Sequence, residues 1–351
     1  MKKNTDVLNI FKKYTPLVDQ EILGLLAVQD NLLMYKMMSY FFGYLDEHLD
    51  AINNYGGKRF RPGICMLLSD FYGVLDESLE LATAVEIYHN FTLIHDDIAD
   101  KDEIRRDRPT VWKKWGLNQA LNTGDGQLIL VYKEINKFLQ KYPEKTTQVL
   151  GIINEKFLQV IEGQHLDFLF SELPLGNPTL SKENTLDMMA RKSGILVGLP
   201  AVLAGMVANK DQKELDYLWD YGYNLGITYQ YCDDIVSIWG DKASSGKIEL
   251  ADIREKKKTI PIIHLYEELD DNKKQILSVL YSKTEDLSDT EVKEVKDLID
   301  SSNSKDYTIE CAKGSLEKVN TAITKLSLTD EQKKTLNDIN LALFAIIGEN
   351  L

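Results

Sequence analysis

The sequence predicts an all-α protein folded as one large helical bundle. Apolar residues recur at helical spacing between breaks. Proline accounts for only 8 of 351 residues, about half of ordinary usage. No stretch alternates strictly with β-branched enrichment between Asn-Gly or Asp-Gly turns, so strands are not expected. No fixed-period repeat or low-complexity linker divides the chain, so residues 1–351 read as one domain.

The elements follow in order. Met1–Asp6 runs into mixed polar sequence without an apolar signal core, which implies no secretion. Pro62 and Pro261 stand just before apolar runs, and Pro143, Pro174 and Pro178 fall in expected loops. Leu81, Val85, Tyr88 and Thr92 recur at helical spacing and lead into Asp96. Gly151–Phe170 and Tyr217–Trp239 read as helices for the same reason. Ser193–Ala208 is uncharged and contains Pro200. It is shorter than the ~18 residues of a spanning segment and reads as a buried helix. Asp270–Lys305 is amphipathic and reads as a surface helical hairpin with its connection at Ser301–Ser304.

Charge narrows the function. Forty-one basic against 55 acidic side chains give a net charge of −14, which argues against nucleic acid as a general partner. Cys65, Cys232 and Cys311 have no paired or metal-ligand spacing and read as reduced thiols of a cytoplasmic protein.

Two acidic clusters stand out. Leu93-Ile94-His95-Asp96-Asp97-Ile98-Ala99-Asp100 places carboxylates at i, i+1 and i+4. Tyr229-Gln230-Tyr231-Cys232-Asp233-Asp234-Ile235-Val236-Ser237 repeats the adjacent pair. Positions i and i+4 share a helix face. Such carboxylates repel unless a cation compensates them. Hard oxygen ligands on a helix suit magnesium, which also takes substrate phosphates. The clusters are candidate halves of one metal–phosphate site, facing the domain interior.

Basic motifs flank them. Gly56-Gly57-Lys58-Arg59-Phe60-Arg61-Pro62 combines close backbone approach, a proline suited to a first helical turn, and cations for an anion. Taken alone, it reads equally well as an exposed basic turn. Arg105-Arg106-Asp107-Arg108 follows the first cluster and in part neutralises Asp100, Asp102 and Glu103. Lys192, Lys247 and Lys256-Lys257-Lys258 are each weak signals alone. Gln164 and Asp167 share a helix face and are as suited to core hydrogen bonding as to a site. A lone histidine such as His89 is more often a satisfied core residue than a ligand.

The ordered set Gly-Gly-Lys-Arg-x-Arg-Pro, Asp-Asp-x-x-Asp with Arg-Arg, Lys-Ser/Thr, Gln-x-x-Asp-Asp and Gly-Lys…Lys-x-Thr-x-Pro resembles the trans-isoprenyl (polyprenyl) diphosphate synthases over roughly Ile52 to Pro261. The resemblance is greatest to archaeal-type geranylgeranyl diphosphate synthases. It implies the isoprenoid synthase fold, a helical bundle around a deep central cavity, usually as a homodimer. By resemblance, Asp96, Asp97, Asp100, Asp233 and Asp234 hold magnesium, three ions with substrate bound, on an allylic diphosphate (dimethylallyl, geranyl or farnesyl). Arg105, Lys192, Gln230, Lys247 and Lys257 are the residues the resemblance places on the substrate diphosphate. Gly57, Lys58, Arg61, His89 and Arg106 match positions that bind isopentenyl diphosphate. The implied reaction is head-to-tail condensation of the two.

The chain departs from the family pattern at several points. Ser237 stands where the second motif usually ends in aspartate, so altered metal affinity is expected there. Asp107 and Lys256 replace usual glycines, and Trp112 replaces a frequent histidine. The C-terminus, Ile346–Leu351, lacks the basic ending of some members. Bulky Phe91 lies five residues before Asp96, ~7.5 Å of helical rise, and Thr92 beside it is small. That pair suggests a floor set for a geranylgeranyl product, which Tyr88 could shorten toward farnesyl. Phe91 as ordinary interhelical packing is the plainer alternative. A terpene-synthase-like or peptide-prenylating relative, and a subunit of a heteromeric synthase, are further alternatives.

Overall fold

A computed structural model describes residues 10–29, 31–52, 57, 59–240 and 250–347. Among these the chain is almost wholly helical, as the periodicity predicts. Two compact units emerge. The first takes in Thr5–Phe157 and Leu199–Trp219; the second takes in Leu158–Gly198 and Asp220–Leu351.

The helices of the first unit begin with α1 (Thr15–Leu26), α2 (Leu33–Phe42), α3 (Phe60–Tyr72) and α4 (Leu79–Ala99). Helix α4 carries the first acidic cluster and is buried nearly all round, from Leu81, Val85 and Tyr88 down to Asp96 and Asp97. A small hairpin follows, with β1 (Ile104–Arg105) paired antiparallel to β2 (Arg108–Pro109). Strands were not expected. Arg106 and Asp107 both take left-handed backbone, φ 54° and 60°, as a two-residue hairpin turn requires. Asp107 thus occupies a conformation that glycine adopts freely and aspartate tolerates. Next come α5 (Val111–Trp115) and α6 (Leu117–Lys141), which lies along α4. Met37, Phe41, Ile94, Val111 and Ala120 form a buried cluster that fixes the end of α4.

Helix α7 (Thr146–Glu172) leads into the second unit, followed by α8 (Lys182–Met189), a π-turn at Ala190–Gly194 and α9 (Ile195–Val207). The continuous helical run 182–207 is long and apolar enough to cross a membrane, longer than the uncharged stretch suggests, but 83% of its apolar window is buried in the protein. That agrees with the buried-helix reading. Helix α10 (Gln212–Trp239) carries the second acidic cluster. It is followed by α11 (Ala251–Arg254), α12 (Ile260–Glu268), α13 (Asp271–Tyr281), α14 (Asp289–Asp300), α15 (Ser304–Lys325) and α16 (Asp330–Phe344).

The expected hairpin is α13 and α14, but its turn is 282–288, and Ser301–Asn303 instead joins α14 to α15. Inward faces decide this: Leu277, Leu280, Leu287, Val292, Val295 and Ile299 enter one core with Ile253 and Ile262. The three cysteines are unpaired. Burial pushes the Cys65 and Cys232 thiols up to about 12, so neither is a reactive thiolate.

Candidate functional site

In the first unit, α4 presents Asp96 and Asp97 almost fully buried, 5% and 1% exposed. Asp100 is the exposed C-cap, its N–H bonding the Asp96 carbonyl. Arg105 Nε, on β1, donates to Asp97 Oδ1 at 2.6 Å. Asp97 Oδ2 is buried and has no hydrogen-bond partner. Burial raises the Asp97 carboxyl to about 7 despite the charge and hydrogen bond of Arg105. Arg105 therefore answers one oxygen of Asp97, and the other remains for a hard cation.

The arginine hairpin borders a cavity of about 360 Å³ lined by Phe41, Gly43, Ile52, Arg105, Arg106 and Arg108, among others. Arg108 lies 3.9 Å over the Tyr40 ring and donates to the Leu45 carbonyl. Arg108, read from the sequence only as part of a charge-neutralising run, instead fastens the hairpin to α2 and the segment after it. Trp112 Nε1 and Thr110 Oγ1 both donate to the Asp102 carbonyl at 2.7 Å. The residue in the frequent-histidine position thus holds the loop that leads out of α4.

Across the turn, a Cβ on Gly57 would sit 3.4 Å from Arg59 Nη1 and 3.6 Å from Arg106 Nη2. Gly57 has φ +108°, so both the space and the backbone favour glycine. His89 Nδ1 is buried without a partner. Burial, then the charges of Arg61, Arg106, Arg105 and Arg59, hold its imidazole well below the ordinary range, so it is neutral. Lys58 lies outside the described residues.

The second unit gathers its candidate residues around the π-turn. Lys192 and Ser193 sit on it, and π-turns often mark functional positions. A Cβ on Gly163 would meet the Lys192 backbone nitrogen at 2.6 Å, and one on Gly226 would meet the Ser193 carbonyl at 2.7 Å. These two glycines let α7 and α10 close on the turn. Lys192 Nζ bonds Asp167 Oδ2 at 2.5 Å, which gives Asp167 a partner the sequence did not single out. Ser193 Oγ donates to Gln230 Oε1 at 2.8 Å, and Gln230 Nε2 donates to Asp234 Oδ1 at 2.9 Å. That chain orients the Gln230 amide and the buried Asp234 carboxylate together. Lys257 is exposed, 3.0 Å from Glu255, and Lys247 lies outside the described residues. Lys258 is the buried member of the lysine run and donates to the Ser171 carbonyl. Burial, then Lys256, lowers its amine to about 8.

Among the described residues, no three His, Cys, Asp or Glu side chains group so as to hold a metal ion by themselves.

The polyprenyl synthetase family model matches residues 43–299. A short chain isoprenyl diphosphate synthase of Methanocaldococcus jannaschii is 36% identical over 70% of this chain and 72% of its own. The chain belongs to the polyprenyl synthetase family. A geranylgeranyl diphosphate synthase of Saccharolobus solfataricus is likewise 36% identical, covering 71% of this chain and 75% of that protein. The geranylgeranyl pyrophosphate synthetase structure from Pyrococcus horikoshii superposes with TM-score 0.83 at 29% identity, covering 99% of each chain. This polyprenyl synthetase is therefore a trans-prenyltransferase with the all-α isoprenoid synthase fold.

Below the first acidic cluster, the synthetase stacks aromatic rings. Phe91 lies 4.8 Å from His95 and 5.5 Å from Tyr88 between ring centroids. Tyr88 stacks flat on Phe157 at 3.6 Å and donates its hydroxyl to the Phe157 carbonyl at 2.6 Å. Thr92 turns its hydroxyl back onto the His89 carbonyl. The motif reading named Phe91, Thr92 and Tyr88 but not Phe157, which lies 69 residues from Tyr88 in the chain.

Proposed function

We propose that this polyprenyl synthetase condenses isopentenyl diphosphate head-to-tail with an allylic diphosphate to give geranylgeranyl diphosphate. The carrying observation is the buried Asp97 oxygen left without a hydrogen-bond partner, which fits a hard cation.

Asp96, Asp97, Asp100, Asp233 and Asp234 would hold three magnesium ions on the allylic diphosphate. Magnesium, when bound, stabilises the charge that builds on the departing diphosphate. Arg105, Lys192, Gln230, Lys247 and Lys257 would bind that diphosphate. Lys192 is held by Asp167, and Gln230 by Ser193, so their donors are oriented before substrate arrives. Lys58, Arg61, His89 and Arg106, with the Gly57 backbone, bind isopentenyl diphosphate. A neutral His89 offers one donor and one acceptor there.

We further propose a single functional domain that works as a homodimer. Exposed Leu117, Leu121 and Ile129 on α6 support an apolar contact surface.

The farnesyl product is the second reading, favoured by the Tyr88–Phe157 stack lying so near Phe91. Purified protein incubated with magnesium, labelled isopentenyl diphosphate and farnesyl diphosphate separates the two. Incorporation into a twenty-carbon product supports the proposal. No extension of farnesyl diphosphate, with extension of shorter primers, favours the second reading, and no incorporation from any primer overturns both.

A further inference from the structure

We infer that Arg59 is a positioning residue for the isopentenyl diphosphate subsite, acting through a buried carboxylate clamp. The inference rests on the proposed function of that subsite. Arg59 belongs to the basic turn, yet its side chain is buried against the protein's own carboxylates rather than presented to solvent. It is 1% exposed and forms two ion pairs, Nε to Asp19 Oδ1 and Nη1 to Glu86 Oε1, each at 2.9 Å. Nη2 donates to the Phe42 carbonyl and to the Tyr44 hydroxyl at 3.2 Å. Tyr44 in turn donates to Asp19 Oδ1 at 2.7 Å. The guanidinium lies 5.7 Å from both the Phe42 and Tyr44 rings. One side chain thereby ties α1, the end of α2 and α4 to the N-cap of α3.

The backbone explains why such an anchor is needed. Arg59 caps α3 with φ 45° and ψ 39°, and Gly57 has φ +108°. Left-handed backbone at a non-glycine residue is unfavourable and persists where surrounding structure imposes it. The forked guanidinium meets two carboxylates, a carbonyl and a hydroxyl through three separate nitrogens, a geometry that the single Nζ of a lysine does not reproduce. The clamp fixes Arg59 in that conformation and so sets Gly57 against Arg106. Glu86 is also tied to Asn90 on the next turn of α4, beside His89. The turn, Arg106 and His89 thus share one buried anchor that touches no substrate.

The test is the steady-state behaviour of Arg59→Lys in the full-length protein. The expected result is a ~10- to 100-fold rise in KM for isopentenyl diphosphate. KM for the allylic diphosphate and kcat should stay within about threefold. Because Arg59→Lys disrupts the buried clamp and can unfold the protein, a second variant is measured beside it. Arg59→Met with Asp19→Asn and Glu86→Gln removes the buried charges together. The same selective weakening is expected there, read as isopentenyl diphosphate affinity by calorimetry. An unchanged KM, or equal losses for both substrates in the folded variants, overturns the clamp. A wild type that never consumes isopentenyl diphosphate overturns the reading of the subsite itself.

Discussion

The Ser237 hydroxyl donates to the carboxylate of Asp252, 15 residues further along the chain. Ser237 Oγ also lies 2.9 Å from the Asp234 carbonyl. Both side chains are buried, 3% and 8% exposed. The position that lacks the family's third aspartate is therefore filled by a neutral donor to a carboxylate supplied from α11. Ser237→Asp should bring two like charges together in a buried place and lower stability by about 2 kcal/mol. Thermal unfolding checks this. Adding Asp252→Asn to the same protein should recover most of the loss, because a single carboxylate then remains. Equal melting temperatures for wild type and Ser237→Asp would show that the two positions do not interact.

That pair also marks where the sequence stops being readable. Helical period is local, so the placement of Asp96 and Asp97 on a buried helix could be read from neighbours within two turns. Gln230 and Asp234, four residues apart on α10, are legible for the same reason. Contacts across the chain are not. The inward turn of Arg59 depends on Asp19, 40 residues earlier, and the Tyr88 stack depends on Phe157. The hairpin at Arg106–Asp107 escaped because its turn signal, a glycine, is replaced by residues that adopt the same backbone. Lys58 and Lys247 lie outside the described residues.

Two replaced glycines give a backbone prediction. Lys256 has φ 57° and Asp107 has φ 60°, and left-handed backbone costs a side-chain-bearing residue about 1–2 kcal/mol. Lys256 follows α11 as a helix-ending residue, with the Lys257 N–H bonding the Asp252 carbonyl, a position where glycine is usual. Gly at either position should leave stability unchanged within about 0.5 kcal/mol, since the relief is offset by unfolded-state entropy. Val at either position should cost more than about 1 kcal/mol, because β-branching worsens the left-handed clash. Denaturant titration of the four variants decides it; Val tolerated as well as Gly would show the strain is absent.

The aromatic stack sets an order for chain-length variants. Phe91 comes first below Asp96, and Tyr88 with Phe157 lies one turn beyond. Phe91→Ala should lengthen the product modestly, because the Tyr88–Phe157 stack still blocks the path. Phe91→Ala with Tyr88→Ala should lengthen it further than either change alone. Chromatographic separation of labelled products gives the distribution. A double variant with the product of the wild type would mean that neither ring is a floor.

Glu134, on the buried face of α6, and Glu21 share one lysine. Lys137 Nζ lies 2.5 Å from Glu134 Oε1 and 2.8 Å from Glu21 Oε1. Burial dominates at Glu134, which is 0% exposed, and raises its carboxyl to about 7 although Lys137 opposes it. In the unfolded chain the same group titrates near the ordinary glutamate value of about 4.3. The folded state therefore holds a proton that the unfolded state has lost across that window. Stability from this group is full below the unfolded pKa and is lost as pH rises through about 7. Glu134→Gln keeps the shape without the charge, so its stability relative to wild type should rise between pH 5 and pH 8. Unfolding measured at both pH values supplies the comparison. A difference that stays constant with pH would show that Glu134 is ionised throughout and that Lys137 compensates it fully.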